Sequence, residues 1–212
     1  STIGSGTVLM PFGGKYQLTP AECMVGKIPL LEGDTKTGTI MSHGYNPRLS
    51  KWSPFHGAVY AIIEAAAKVV AAGGDYRNIR LTLQEYFERL GDDPARWGKP
   101  FAALLGAYYA QKKLGTAAIG GKDSMSGTFI DLDVPPTLTA FAVNVVNVDT
   151  VISPEFKKAG SSVVYIPLNR DEFQLPDFDI LDKNFSRITD LIQKGKILSA
   201  HTVKIGGIAE AI

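Results

Sequence analysis

Cysteine is nearly missing from this 212-residue sequence, which has Cys23 alone. One thiol excludes an internal disulfide and fits a reducing compartment such as the cytoplasm. Charge of one sign is missing too. Lys and Arg number 22 and Asp and Glu 21, a net charge of +1. That balance gives no electrostatic case for nucleic acid or for an anionic membrane surface. No apolar run approaches the roughly 20 residues that a membrane helix needs. The start, Ser1–Gly6, lacks a basic flank and an apolar core, so it does not read as a signal peptide. Histidine is sparse: single histidines such as His43 and His56 are weak evidence for a site and read as loop and helix-start residues.

What is present reads as an ordinary globular chain. Hydrophobic residues make up 45% and charged residues 20%, enough to bury a core in one or two domains. Residues 1–22 are rich in Gly, Pro and Thr and read as loops and short extended pieces, with Thr7–Met10 a candidate strand. Cys23–Pro29 continues in the same way. Leu30–Met41 is either a strand feeding a ligand loop or a hairpin turn. Residues 42–55 contain Pro47 and Pro54 and read as loop.

A helix is expected over His56–Ala72, with Ser53 as N-cap, Pro54 at the first position and Gly73-Gly74 as the stop. Val59, Ile62, Ile63, Ala66, Val69 and Val70 form its buried stripe. Glu64 and Lys68, four apart, read as a surface pair. Ile79–Leu83 alternates as a strand does. Gln84–Leu90 then turns toward Gly91–Pro94, a helix start or a turn. Pro100–Leu114 reads as a second helix with Phe101, Leu104, Leu105 and Tyr108 inward. Thr116–Ile119 reads as a short buried strand.

Thr137–Val148 is long, apolar and β-branched, a central strand. Asp149–Gly160 is polar and suits a domain boundary. Ser161–Pro167 reads as a strand and Asp182–Lys194 as an amphipathic helix with Phe185, Ile188, Leu191 and Ile192 inward. Lys196–Gly207 begins a strand-to-glycine element. The sequence stops at Ile212 in what reads as the first turn of a helix, as though a second domain were cut short.

The stretch Ala118–Gly127 carries the chemistry. Gly120 and Gly121 let a backbone turn sharply and approach a ligand. Lys122, Asp123, Ser124 and Ser126 follow at once. A strand ending in such a loop can hold a phosphate through backbone N–H groups and a Lys point charge. A tight turn with a surface ion pair is the competing reading.

Gly120-Gly-Lys-Asp-Ser-Met-Ser126 resembles the signature of the phosphoribosylformylglycinamidine synthase family (also called formylglycinamide ribonucleotide amidotransferase), in its second synthetase half. Pro11–Gln17, Lys51–Gly57, Gln84–Phe87, Arg96–Phe101 and Gly106–Ala110 resemble the large single-chain bacterial form. The resemblance implies an α/β (α+β) fold like that of aminoimidazole ribonucleotide synthetase. Residues 1–150 would be an N-terminal-type synthetase domain and 151–212 the opening of a C-terminal-type domain. It also implies an ATP- and Mg²⁺-dependent C–N ligase of purine biosynthesis. Such an enzyme phosphorylates the amide oxygen of formylglycinamide ribonucleotide, and ammonia released from glutamine then displaces the phosphate.

By that resemblance, the glutaminase residues lie elsewhere in a longer chain. Cys23 lacks a nucleophile motif and reads as a structural thiol, so no catalytic residue falls here. Lys122, Asp123, Ser124 and Ser126 would hold substrate or phosphate, and Gly120 and Gly121 would contact nucleotide. Glu64 matches a metal ligand of an auxiliary Mg–nucleotide site. Lys68, however, stands where that site has Asn, and Thr202 and Ile205 where it has Asp. Glu32, Asp34 or Thr35 would supply the remaining ligand, and His201 matches a position near the nucleotide end. Hard Mg²⁺ wants oxygen ligands, so the auxiliary site is expected to be lost, with Lys68 and Lys204 replacing the metal's charge. The implied partners are the first synthetase half, the glutaminase domain and a small-molecule substrate. A second copy could also pack on the piece. An independent small ATP-dependent enzyme of the superfamily and a non-catalytic interaction module are the alternatives.

Overall fold

The computed structural model describes residues 4–212. Its strands are β1 (Phe12–Gly13), β2 (Thr19–Pro20), β3 (Met24–Lys27), β4 (Thr37–Gly44), β5 (Arg80–Tyr86), β6 (Ala117–Lys122), β7 (Thr128–Phe129), β8 (Leu132–Asp133) and β9 (Thr137–Asn147). Its α-helices are α1 (Pro47–Trp52), α2 (Pro54–Ala71), α3 (Pro94–Leu114), α4 (Phe178–Gln193) and α5 (Gly207–Ala211). The main sheet has the order β3-β4-β9-β5-β6, so β9 is central, as its apolar, β-branched sequence predicts. The chain divides into two compact units. One combines residues up to Ser42 with Ala67–Asn78 and Val143–Ile212; the other combines His43–Ala66 with Ile79–Ala142.

The first strong helix forms as expected. Ser53 Oγ accepts the His56 N–H at 3.3 Å, Pro54 opens α2, and the whole Val59–Val70 stripe is buried. Gly73 follows at φ +103°, a conformation that a side chain would strain. Lys68 is not on the surface: it is buried, which corrects the expected surface pair with Glu64.

In the second unit, α3 starts at Pro94 rather than Pro100. The Asp93 carboxylate caps it by accepting the Ala95 N–H at 2.9 Å. Its packing face is also corrected. Phe101, Leu104, Leu105 and Tyr108 are exposed, while Ala103, Gly106, Ala107, Ala110 and Leu114 are buried. Close backbone approach is the reason. A Cβ on Gly106 would lie 2.1 Å from the Phe55 carbonyl oxygen, so only small residues fit that side and the large ones turn away.

β6 runs parallel to β5 at the edge of the sheet and is exposed along its length, so the expected burial of Thr116–Ile119 holds for Thr116 alone. Residues 42–55 are not loop. β4 runs on to Gly44, and Asn46 caps α1 by accepting the Arg48 and Leu49 N–H groups.

In the first unit, the Leu30–Met41 ambiguity resolves as a hairpin. β3 and β4 pair antiparallel, with Val25 opposite Ile40. Cys23–Pro29, read as loop and short extended pieces, supplies the short strand β3. Thr7–Met10 makes one bridge, Thr7 to Gly26, rather than a strand. α4 begins at Phe178, capped by Asp177, and buries Phe178, Leu181, Phe185 and Ile192. Ser161–Pro167 and Lys196–Gly207 form no strands. Both are apolar enough, but a strand needs a ladder partner, and none of the described residues supplies one.

Candidate functional site

The second unit builds its site at one end of a parallel strand pair. Arg80 pairs with Ala117 and Gln84 with Lys122, so the C-terminal ends of β5 and β6 lie side by side. Ligands of open α/β sheets bind outside the carboxyl ends of such strands. The chain beyond β6 keeps following β5: Ser124 N–H donates to the Glu85 carbonyl at 3.1 Å, and Phe87 N–H donates to the Ser124 carbonyl at 2.9 Å. This ladder fixes the loop backbone and leaves its side chains at the rim. Lys122, Asp123 and Ser126 are exposed, and Ser124 is half-buried. The Ser124 and Ser126 hydroxyls lie 2.9 Å apart.

The glycine pair works differently from its sequence reading. Gly120 and Gly121 are strand residues opposite Thr82 and Leu83, not a turn. The pairing shifts register between Leu81 and Thr82, which places a bulge at Ile119. A Cβ on Gly121 would lie 2.5 Å from the Leu83 carbonyl oxygen, whereas Gly120 faces open space. Gly121 is therefore required by close strand approach.

Glu85, next to this loop, is a buried carboxyl that the sequence reading passed over. It is only 5% exposed, and its Oε1 has no hydrogen-bond partner. Burial, and then the Asp123 carboxylate, push its carboxyl up to about 7. The signal was available: carried past Leu83, the alternation of β5 puts position 85 on the same face as Leu81 and Leu83. Nearby, Arg96 bridges to Asp133 at 2.8 Å, Thr128 Oγ1 donates to Asp133 at 2.6 Å, and Lys99 pairs with the buried Glu88. These contacts tie the β7–β8 hairpin and the start of α3 into the same end of the unit.

The first unit holds the other residues singled out in the sequence. Thr202 and Lys204 converge on the Glu22 side chain, which is 3% exposed. Its Oε2 accepts the Thr202 N–H at 2.6 Å; its Oε1 accepts Thr202 Oγ1 at 2.8 Å and Lys204 Nζ at 2.5 Å. His201 Nδ1 lies 3.7 Å from the same carboxylate. Asp34 is engaged by Lys27 at 2.8 Å, whose hydrogen bond lowers the Asp34 carboxyl below its ordinary value. Cys23 is buried, donates its thiol hydrogen to the Lys68 carbonyl at 3.1 Å, and has its ionisation raised by burial. That environment suits an inert thiol.

Glu64, the candidate metal ligand, is half-buried on α2. Lys68 follows one turn later, where a metal site wants oxygen. No three His, Cys, Asp or Glu side chains among the described residues are placed to hold a metal. This donor set does not fit Mg²⁺. No helix among the described residues is long and apolar enough to cross a membrane.

No protein-family model matches the chain. Solved structures do match its fold. Phosphoribosylformylglycinamidine synthase II from Thermotoga maritima is 18% identical, with a TM-score of 0.67 over 98% of this chain and 31% of that one. T. maritima PurL complexed with FGAR is 19% identical, with a TM-score of 0.67 over 93% of this chain and 29% of that one. The same protein complexed with AMPPCP is 20% identical, with a TM-score of 0.64 over 93% and 30%. The chain thus has the mixed α/β fold of these proteins and spans less than a third of their length.

Proposed function

We propose that this chain is part of the second synthetase half of a phosphoribosylformylglycinamidine synthase, a cytoplasmic C–N ligase of purine biosynthesis. In this reading residues 1–150 and 151–212 are its N-terminal-type and C-terminal-type synthetase modules. The observation that carries it is the rim formed where parallel β5 and β6 end, which presents Lys122, Asp123, Ser124 and Ser126 together. A fold likeness to PurL, solved with FGAR, supports the same reading.

The chemistry asked of this chain is binding and positioning. Lys122 supplies an ammonium, and Ser124 and Ser126 supply hydroxyls, to a substrate phosphate. Gly120 and Gly121 form the strand edge that a nucleotide would approach. The amide oxygen is phosphorylated by ATP, and ammonia displaces that phosphate; the chemistry needs residues of the first synthetase half, and release of the ammonia from glutamine needs a glutaminase domain. No metal role is assigned to Glu64. The exposed Phe101, Leu104, Leu105 and Tyr108 of α3 suit packing against another part of the longer protein or a second copy.

The chain alone, given formylglycinamide ribonucleotide, ATP, Mg²⁺ and ammonium chloride, is expected to show no turnover. Addition of the first synthetase half is expected to produce it. Turnover by the chain alone would instead make it a self-contained ATP-dependent enzyme. No turnover even with the partner half would leave an interaction module.

A further inference from the structure

Large apolar side chains gathered on one helix face mark an interaction surface, and α3 carries such a face. Trp97 is 57% exposed, Phe101 63%, Leu104 50%, Leu105 45% and Tyr108 62%. Their spacing says what fits. Trp97, Phe101, Leu104 and Tyr108 step by four, three and four residues, the a and d positions of a helix that packs lengthwise on another helix. The polar end of Trp97 is already met, because its Nε1–H donates to the Gly91 carbonyl at 2.9 Å, so the ring presents its apolar body. Charge sits at the two ends of the stripe. Pro94–Leu114 contains no acidic residue. Arg96 bridges to Asp133 and Lys99 to Glu88 within the unit. Asp92 and Asp93 just before the helix, and Lys112 and Lys113 at its end, are all exposed.

We propose that this face of α3 is a self-association surface, which takes the α3 of a second copy of this chain in antiparallel register. Turning the helix end for end sets Phe101 against Leu104 and Trp97 against Tyr108. The same register sets Asp93 against Lys112 and Asp92 against Lys113. The apolar stripe and the terminal charges are thus complementary to themselves under one two-fold rotation, as an isologous contact requires. A parallel pair would bring like charges together at both ends and align the two helix dipoles. This self-complementarity favours a second copy over an unrelated helix. Size sets the strength. Three aromatic side chains about 60% exposed and two half-exposed leucines offer roughly 500 Å² per copy. Pairing two copies then buries roughly 1,000 Å², at the lower edge of specific interfaces. The dimer is therefore weak, with a Kd on the order of 10 µM. None of this depends on the reading of the Lys122–Ser126 loop.

Sedimentation velocity of the whole chain from about 1 µM to about 500 µM tests this. The wild type is expected to pass from monomer to dimer across that range. Leu104→Glu, at an exposed position, is expected to weaken association by about 10-fold or more, because it sets a charge in the apolar stripe. Asp92→Lys and Lys113→Glu each create like-charge contacts at both ends of the pair, and each is expected to weaken association by about 5-fold. An equimolar mixture of these two variants restores opposite charges at both ends and is expected to regain the wild-type affinity. A chain that stays monomeric at the highest concentration overturns the proposal, and α3 amide shifts on addition of the first synthetase half would then assign the face to that partner. A dimer indifferent to Leu104→Glu forms through another surface and overturns it as well. Charge variants that weaken the dimer without rescuing one another contradict the antiparallel register, and the proposal with it.

Discussion

Glu85→Gln is expected to stabilise the folded chain by about 3 kcal/mol at pH 8 and to leave its stability at pH 4 nearly unchanged. The Glu85 carboxyl rises from an ordinary value of 4.5 to about 7, first through burial and then through Asp123. Below the unfolded value both states hold the proton, and the side chain costs no ionisation energy. Between that value and about 7, the unfolded chain loses the proton and the folded chain keeps it. Wild-type stability therefore falls as pH rises through this window. Glutamine has the same shape and does not titrate, so the fall disappears. Urea midpoints of the two proteins at pH 4 and pH 8 measure the effect. Equal pH slopes would show that Glu85 is not held neutral by the fold.

Glu22→Ala is expected to cost about 3 kcal/mol, because it removes one partner from a buried charge network. The carboxylate is 3% exposed and accepts from Thr202 N, Thr202 Oγ1 and Lys204 Nζ. Without it, a backbone donor and an ammonium lose their partner at once. Residues 199–206 have no strand or helix of their own, so this carboxylate is a main anchor of the segment. Denaturant unfolding measures the loss, and faster proteolysis within 199–206 accompanies it. A change below about 0.5 kcal/mol would show that the network is held by its surroundings instead. The chemistry also bears on the metal-site residues of the sequence reading. Thr202 and Lys204 serve as donors to Glu22, the opposite of what a cation would require of those positions.

The parts of the fold legible in the sequence were those set by periodicity and caps. The α2 stripe, the Ser53-Pro54 start and the β-branched β9 each carry a local signal strong enough to survive tertiary context. The parts that were not legible depended on distant chain. Phe101, Leu104, Leu105 and Tyr108 have helical spacing, but the Phe55 backbone approaches Gly106 and takes the other face. Ser161–Pro167 has strand composition and lacks a ladder partner among the described residues. The site divides in the same way. Lys122 to Ser126 could be picked out by residue type, whereas the role of Gly121 depends on the Leu83 carbonyl and the placement of Glu85 near Asp123 on the β5–β6 register. Neither pairing is visible until both strands are placed.

The most direct test of the whole account is a titration of the ¹⁵N-labelled chain with formylglycinamide ribonucleotide. Amide shifts are expected to concentrate at Gly120–Ser126 and Glu85, and joint Lys122→Ala and Ser124→Ala substitution to weaken the affinity at least 10-fold, about the loss of a charged and a neutral hydrogen bond. Saturable binding with shifts that leave these residues untouched, or undiminished binding by the double variant, would contradict it.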